Sequence, residues 1–267
     1  AFSDTTPTTT TTPYTGPTTT SESTSTTNGG GGGSDCDAFS KTGELTQYGL
    51  EQSFLGNCEF AFDSASNLGI TNFVALPQSF EYNNGLNCGR CIKIKCSCEQ
   101  STFDGVCSTG QDTIAMVADS CPECNAGDVD SNLLVWNSVT GNESPSRFDA
   151  SWEFVECPSA FRPNPKSQLR WKTGSSQWWL GLQPTNTRFG IVSITARRSD
   201  GNEFSLPLGG NDVGFSFWFL SANSFFDTDQ YPITIIVTNT EGDTASGTVF
   251  STSEIVANTY LDLDALL

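Results

Sequence analysis

Apolar residues along this chain recur at every second position rather than every third or fourth, the period of strands that bury one face. Ile92 and Ile94 alternate with Lys93 and Lys95, and Trp152 and Phe154 with Ser151 and Glu153. Val192, Ile194 and Ala196 alternate with Ser193, Thr195 and Arg197. Residues 233–238 and 244–250 flank Glu241-Gly242-Asp243, a spacing that predicts a hairpin. Short runs of this kind, bounded by Gly, Asn, Asp and Pro, fill most of the chain. A single helix is predicted over 130–139, with an acidic first turn. The pattern is that of an all-β protein.

Cysteine placement divides the chain. All ten cysteines fall between Cys36 and Cys157, while four of the six tryptophans lie beyond Cys157. An even thiol count packed into one segment reads as a disulfide framework, which persists in oxidising surroundings. Residues 1–34 hold fourteen threonines, three prolines and glycines 29–33, with almost nothing apolar to bury. Such a leader cannot offset its ordering entropy; it reads as an extended tether, O-glycosylated in preference to a bare linker. The expected organisation is a disordered leader over 1–34, a disulfide-rich module over 35–158, a Pro-rich linker over 159–165, a second module over 166–254 and a tail over 255–267. No apolar run approaches the ~18 residues of a membrane span. The chain reads as the mature form of a secreted, extracellular or wall-located protein beginning at Ala1, and a monomer is expected. Asn142, in Asn142-Glu143-Ser144, is the N-glycosylation candidate.

The net charge of −18 is unevenly placed. Residues 35–158 hold 18 acidic and 5 basic residues, whereas 166–254 hold 8 and 6. That field repels polyanions, which argues against nucleic acid and acidic polysaccharide, and the near-neutral second module suits an uncharged ligand. The chain has no histidine, so Ser-His-Asp and Cys-His catalysis and His-containing zinc sites are unavailable. Cys88-x2-Cys91 and Cys121-x2-Cys124 have zinc spacing, but the secretory features favour disulfides; neither metal nor cofactor is expected.

Six stretches taken in order carry a family resemblance. They are 43–49 (Gly-Glu-Leu-Thr-Gln-Tyr-Gly), 56–58 (Gly-Asn-Cys), 83–91 (Asn-Asn-Gly-Leu-Asn-Cys-Gly-Arg-Cys), 117–122 with 127–130, 152–157, and 170–179 (Arg-Trp-Lys-Thr-Gly-Ser-Ser-Gln-Trp-Trp). Over residues 40–253 the chain resembles the expansins, in particular the microbial expansin-like proteins. The resemblance implies a six-stranded double-psi β-barrel related to family-45 glycoside hydrolases, followed by an immunoglobulin-like β-sandwich that binds cellulose. It also implies loosening of plant-type walls without glycan cleavage. By motif, Thr46, Asp119 and Asp130 match the family's polar groove positions, and Lys172, Trp178 and Trp179 its sandwich binding positions. The implied bridges are Cys58–Cys88 and Cys91–Cys157. Cys121–Cys124 is expected within its loop; Cys107 is expected to pair with Cys96 or Cys98, taken as Cys98–Cys107 with Cys36–Cys96. Two positions depart from the pattern: the plant-type His-Phe-Asp is Asp128-Val129-Asp130, and the microbial Asp-x-Tyr-Pro is Asp119-Ser120-Cys121-Pro122.

The residues also bear a reading of their own. Hydrolysis with inversion needs an acid on the leaving oxygen and a base holding water, ~6.5–9.5 Å apart. Asp130 is the acid candidate, but the resemblance to the family-45 hydrolases implies a base on the first strand near 46–48, where this chain holds no Asp, and Glu51 lies one residue off a matching place, on the other face of a strand. Asp119 is a second base candidate, with a groove-fixing bond to Thr46 as its structural alternative, and Asp128 reads as a solvated loop or helix-start carboxylate. Trp152 and Trp171 read as core. Trp178 and Trp179 can share a sugar-stacking platform only if a bulge or strand end interrupts alternation near 173–176. Trp218, in 214–219, is the choice for the third ring. Three functions compete: non-hydrolytic loosening of contacts between cellulose, xyloglucan or other neutral β-glucans; an inverting endo-β-1,4-glucanase; and a structural carbohydrate-binding matrix protein.

Overall fold

The computed structural model describes residues 39–49, 56–60, 70–96, 111–141, 147–209, 216–221 and 230–267, in which the period-two segments form strands. Six of them, β1 (Lys41–Gln47), β2 (Phe73–Pro77), β3 (Cys91–Cys96), β4 (Thr113–Cys121), β5 (Val129–Ser131) and β6 (Arg147–Val155), close into a barrel in the order β1-β5-β2-β4-β3-β6. Closure leaves no sheet edge, and the inward residues Leu45, Val74, Ile92, Ile94, Val129 and Trp152 are fully buried. Inside, the Trp152 indole N–H donates to the Gly127 carbonyl at 2.8 Å.

The helix α1 (Leu133–Thr140) starts three residues later than the sequence pattern predicts, and its first turn holds no acidic residue. Asp130 and Ser131 belong to β5, where pairing with β1 and β2 uses their backbone. Asn132 then caps the helix, its side chain accepting from the Val135 N–H at 3.1 Å.

The remaining strands form two four-stranded sheets. One has the order β10 (Glu203–Leu206), β9 (Ile191–Arg197), β12 (Ile233–Asn239), β13 (Thr244–Val249); the other β11 (Trp218–Ser221), β8 (Trp179–Thr185), β7 (Gln168–Trp171), β14 (Tyr260–Asp262). A shared apolar core, with Leu169, Trp171, Leu182, Ile194, Ile235 and Val237, lies between them, so the all-β barrel-plus-sandwich class holds. The β12–β13 hairpin forms around Glu241-Gly242-Asp243. One alternation breaks: a bulge at Thr238/Asn239 pairs Asn239 with Ile191, which takes the core place and leaves Val192 44 % exposed.

The expected tail over 255–267 is instead structural. Tyr260–Asp262 pairs with β7, and Leu263 and Leu267 are each 1 % exposed in the sandwich core. Asp264 accepts from the Ser246 N–H at 2.7 Å, tying the segment to β13. Its alternation of Leu with Asp is a strand pattern too short to stand out without its partner β7. Leu263→Ala is therefore expected to cost about 2–5 kcal/mol of unfolding free energy, read by denaturant titration.

Among the described residues the disulfides are Cys58–Cys88, Cys91–Cys157 and Cys121–Cys124. Cys88 and Cys91 thus sit in different bridges and cannot share a metal through their spacing. Cys96 is also disulfide-bonded. Cys36, Cys98 and Cys107, on which the remaining pairings depend, lie outside the described residues, as do Glu51 and Asn142. No described helix is long and apolar enough to cross a membrane.

Residues Cys36–Leu267 form one compact unit, because barrel and sandwich share polar contacts. Cys157 N–H donates to the Arg188 carbonyl at 2.8 Å, and the Arg162 side chain, within the 159–165 segment, donates to the Cys157 carbonyl at 2.7 Å. The largest group of contacts comes from residues 56–60. Gly56, at φ 53°, starts this segment where a side chain would strike the Ala118 carbonyl at 2.3 Å.

Candidate functional site

Strand register builds a polar row on the outside of the barrel wall. Leu45, Val129 and Val74 point inward, so their neighbours Thr46, Asp130 and Ala75 point outward. Thr46 pairs with Asp130, Asp130 with Ala75, and Ala75 with Asp119. The last pairing depends on a register shift at Val74/Ala75 that skips Ala118 and brings Asp119 into the row. Asp130 and Asp119 therefore stand two strands apart, about 10 Å between backbones at the usual strand spacing.

The two carboxylates have different surroundings. Asp119 is 7 % exposed and committed: Oδ1 accepts from the Asn57 and Ser120 N–H groups at 2.7 and 2.8 Å, and Oδ2 from the Tyr48 hydroxyl at 3.3 Å. Its partners do not include Thr46, whose carbonyl accepts from the Ser131 hydroxyl at 3.1 Å. Asp130 is half-buried, and its pKa rises from 3.8 to about 6. Burial is the main cause, the charges of Glu123, Asp128 and Asp119 add to it, and Arg147 opposes it. Asp128 is not a solvated loop group. Its carboxylate, 9 % exposed, accepts from the Glu44 N–H at 2.9 Å and the Asn125 N–H at 2.8 Å, which pins the loop before β5 to β1.

Tyr48 is the groove residue that the sequence reading passed over. It follows Thr46 by two positions, packs on the Ile70, Phe73 and Ala118 cluster and reaches Asp119. Burial and the Asp119 charge push its hydroxyl pKa far up, so it stays a proton donor. The ligand atoms of Cys121, Cys124 and Asp130 lie within 4.8 Å of one another, but the two sulfurs are bonded to each other, which leaves a lone carboxylate and no metal-binding set.

The sandwich presents a second surface. Trp178 lies outside β8, at the tip of a two-residue turn closed by Ser176 and Trp179, and is 59 % exposed. Strict alternation does not apply there. Trp179 begins β8, and its ring rests on the outer face of the sheet over Gly181, where an added Cβ would meet the ring at 2.9 Å. On the same face, Phe219 pairs with Gly181, and Tyr260, 38 % exposed, pairs with Arg170. Trp218 is not part of this surface. It is 7 % exposed in the sandwich core opposite Leu182, because a one-residue step along a strand changes face. Its neighbour Phe219 takes the outer place. Trp152 and Trp171 are both buried.

Lys172 has its ammonium paired with the Glu59 carboxylate and held 4.0 Å from the centre of the Phe217 ring. Arg170 donates to the Glu59 carbonyl at 2.6 Å, and Gln183 to the Cys58 carbonyl at 2.7 Å. These three side chains lie on the sheet face that carries Trp179.

No protein-family model matches this sequence, and no curated protein matches it. Solved structures do. The apo expansin of Clavibacter michiganensis is similar over 85 % of this chain and 96 % of its own, with a TM-score of 0.64 and 22 % identity. A substituted form of that expansin in complex with cellohexaose is similar over the same shares, with a TM-score of 0.61 and 21 % identity. A closed six-stranded barrel followed by a two-sheet sandwich, in that chain order and over that span, is the expansin fold, and this chain has it.

Proposed function

We propose that this protein is a secreted expansin-like protein that binds neutral β-1,4-linked glucan, such as cellulose or xyloglucan, and loosens noncovalent contacts between wall polymers without cleaving them. The observation that carries this reading is the division of labour in the groove. Asp130 is half-buried and holds its proton to about pH 6, while Asp119 has both oxygens engaged. An inverting hydrolase needs a second carboxylate free to take a proton from water. Asp119 spends that capacity on Asn57, Ser120 and Tyr48, so among the described residues the row can grip a sugar hydroxyl but offers no free base. The outward aromatics Trp178, Trp179 and Tyr260 supply faces on which glucose rings stack, and the cellohexaose-bound expansin of the same fold supports a glucan as the ligand.

One observation favours a second reading. A carboxyl that keeps its proton to about pH 6 is suited to general acid catalysis, as an endoglucanase requires. Reducing-end release from amorphous cellulose and creep of heat-inactivated plant wall strips separate the two. Creep with no reducing ends above the buffer control is the expected result. Steady release that disappears in Asp130→Asn identifies a hydrolase, and adsorption with neither activity identifies a structural matrix protein.

A further inference from the structure

The groove and the platform are joined by three consecutive residues. Asn57 bonds to the barrel row through its N–H to Asp119, and its side-chain amide donates to the Ser120 hydroxyl at 2.6 Å. Cys58 offers its carbonyl to Gln183 and to the Ser216 hydroxyl on the sandwich. Glu59 offers its carbonyl to Arg170 and its carboxylate to Lys172. Glu59 holds φ at 50°, a left-handed conformation that a non-glycine residue adopts only when its surroundings impose it.

We infer that the segment 57–59 is a tie that keeps the groove carboxylates and the aromatic platform in one register, and that Lys172 is a positioning residue of this tie rather than a sugar ligand. The inference rests on the proposed wall-loosening reading. Lys172 is engaged at three places: its charge is paired with Glu59, its ammonium sits on the Phe217 ring, and its stem lies against Gly181. Only 20 % of the side chain meets solvent. A cation so engaged has little left to offer a sugar hydroxyl. Its effect passes through Glu59 and Asn57 to Asp119, the far end of the polar row. A glucan held by stacking on the platform alone adsorbs whether or not the tie is intact. Straining that glucan requires a second hold at a constant distance from the first, and the tie sets this distance.

Glu59→Gln and Lys172→Met each remove one charge of the pair while keeping the shape. Both are expected to lower wall creep about three- to tenfold while leaving cellulose adsorption within about twofold of wild type, as a lost positioning contact does. Lys172→Arg keeps a cation within reach of Glu59 and is expected to retain creep. Amide hydrogen exchange at Asn57, whose N–H is held by Asp119, is expected to quicken about tenfold in both neutral variants, by local opening. A Lys172→Met protein that loses adsorption, beside a Glu59→Gln protein that creeps like wild type, overturns the inference and makes Lys172 a ligand. If the wild type itself moves no wall, the proposed function fails. The exchange measurement then decides the tie alone, and unchanged protection of Asn57 in both variants sinks it.

Discussion

Trp179→Ala is expected to weaken adsorption to crystalline cellulose about ten- to a hundredfold while leaving the fold intact. Stacking one ring on a flat ligand is worth about 1–3 kcal/mol, by analogy with bases on aromatic side chains, and each 1.4 kcal/mol is tenfold in affinity. Trp179 lies on the outer sheet face over Gly181 and supports no core, so its loss removes contact area and little stability. Adding Trp178→Ala is expected to weaken binding further, since Trp178 is exposed at the turn tip. The ligand is neutral, so moderate salt changes the affinity little. Depletion isotherms, with a thermal melt of each variant, check this. Trp218→Ala is the contrast: buried against Leu182, it is expected to destabilise the sandwich by about 3–5 kcal/mol. A double Trp178/Trp179 alanine variant that binds like wild type would falsify the platform.

Wall creep is expected to be greatest below pH 6 and to fall as the pH rises through that value, with Asp130→Asn, whose amide donates at every pH, free of that pH dependence and Asp130→Ala low throughout. The groove carboxyl donates to a sugar hydroxyl only while protonated, and burial holds its proton to about pH 6. The same shift bears on stability. Folding raises this pKa from 3.8 to about 6, so the folded protein keeps a proton that the unfolded chain releases. The contribution is fully present below 3.8 and is lost as the pH rises through 6. Asp130→Asn, uncharged throughout, is expected to remove that slope and to melt higher than wild type above pH 6. Adsorption through the sandwich should survive. Creep and melting profiles from about pH 4 to about pH 8 test both, spanning the two protonation states. A wild-type creep rate that is flat across this range is incompatible with Asp130 as the donor.

The two effects come from surfaces of opposite chemistry. The barrel row is polar and acidic, with one carboxyl kept neutral by burial and its acidic neighbours. The sandwich face carries the aromatic rings of Trp179, Phe219 and Tyr260 beside the paired charges of Lys172 and Glu59. Residues 57–59 connect them through backbone carbonyls as much as through side chains, which is why no motif marks the connection.

The amino-acid pattern by itself determined the strand content, the oxidising framework and the hairpin at 241–243. Ile92 and Ile94, or Ile235 and Val237, report a buried face through local alternation, and that signal needs no knowledge of the partner strand. Zero histidines likewise exclude His-dependent catalysis without any structure. Tertiary structure decided the rest, because alternation tells that a face is buried but not what lies across from it. The row Thr46–Asp130–Ala75–Asp119 exists through a parallel pairing of strands far apart in sequence and a bulge that skips Ala118. Trp218 and Phe219 exchange inside and outside by a single register step. Residues 260–262 read as a tail until β7 supplies the strand they pair with, and the ion pair of Lys172 with Glu59, 113 residues away, has no signal in the sequence. Each of these contacts joins segments distant along the chain, and only the closed barrel and the docked sandwich bring them within bonding distance.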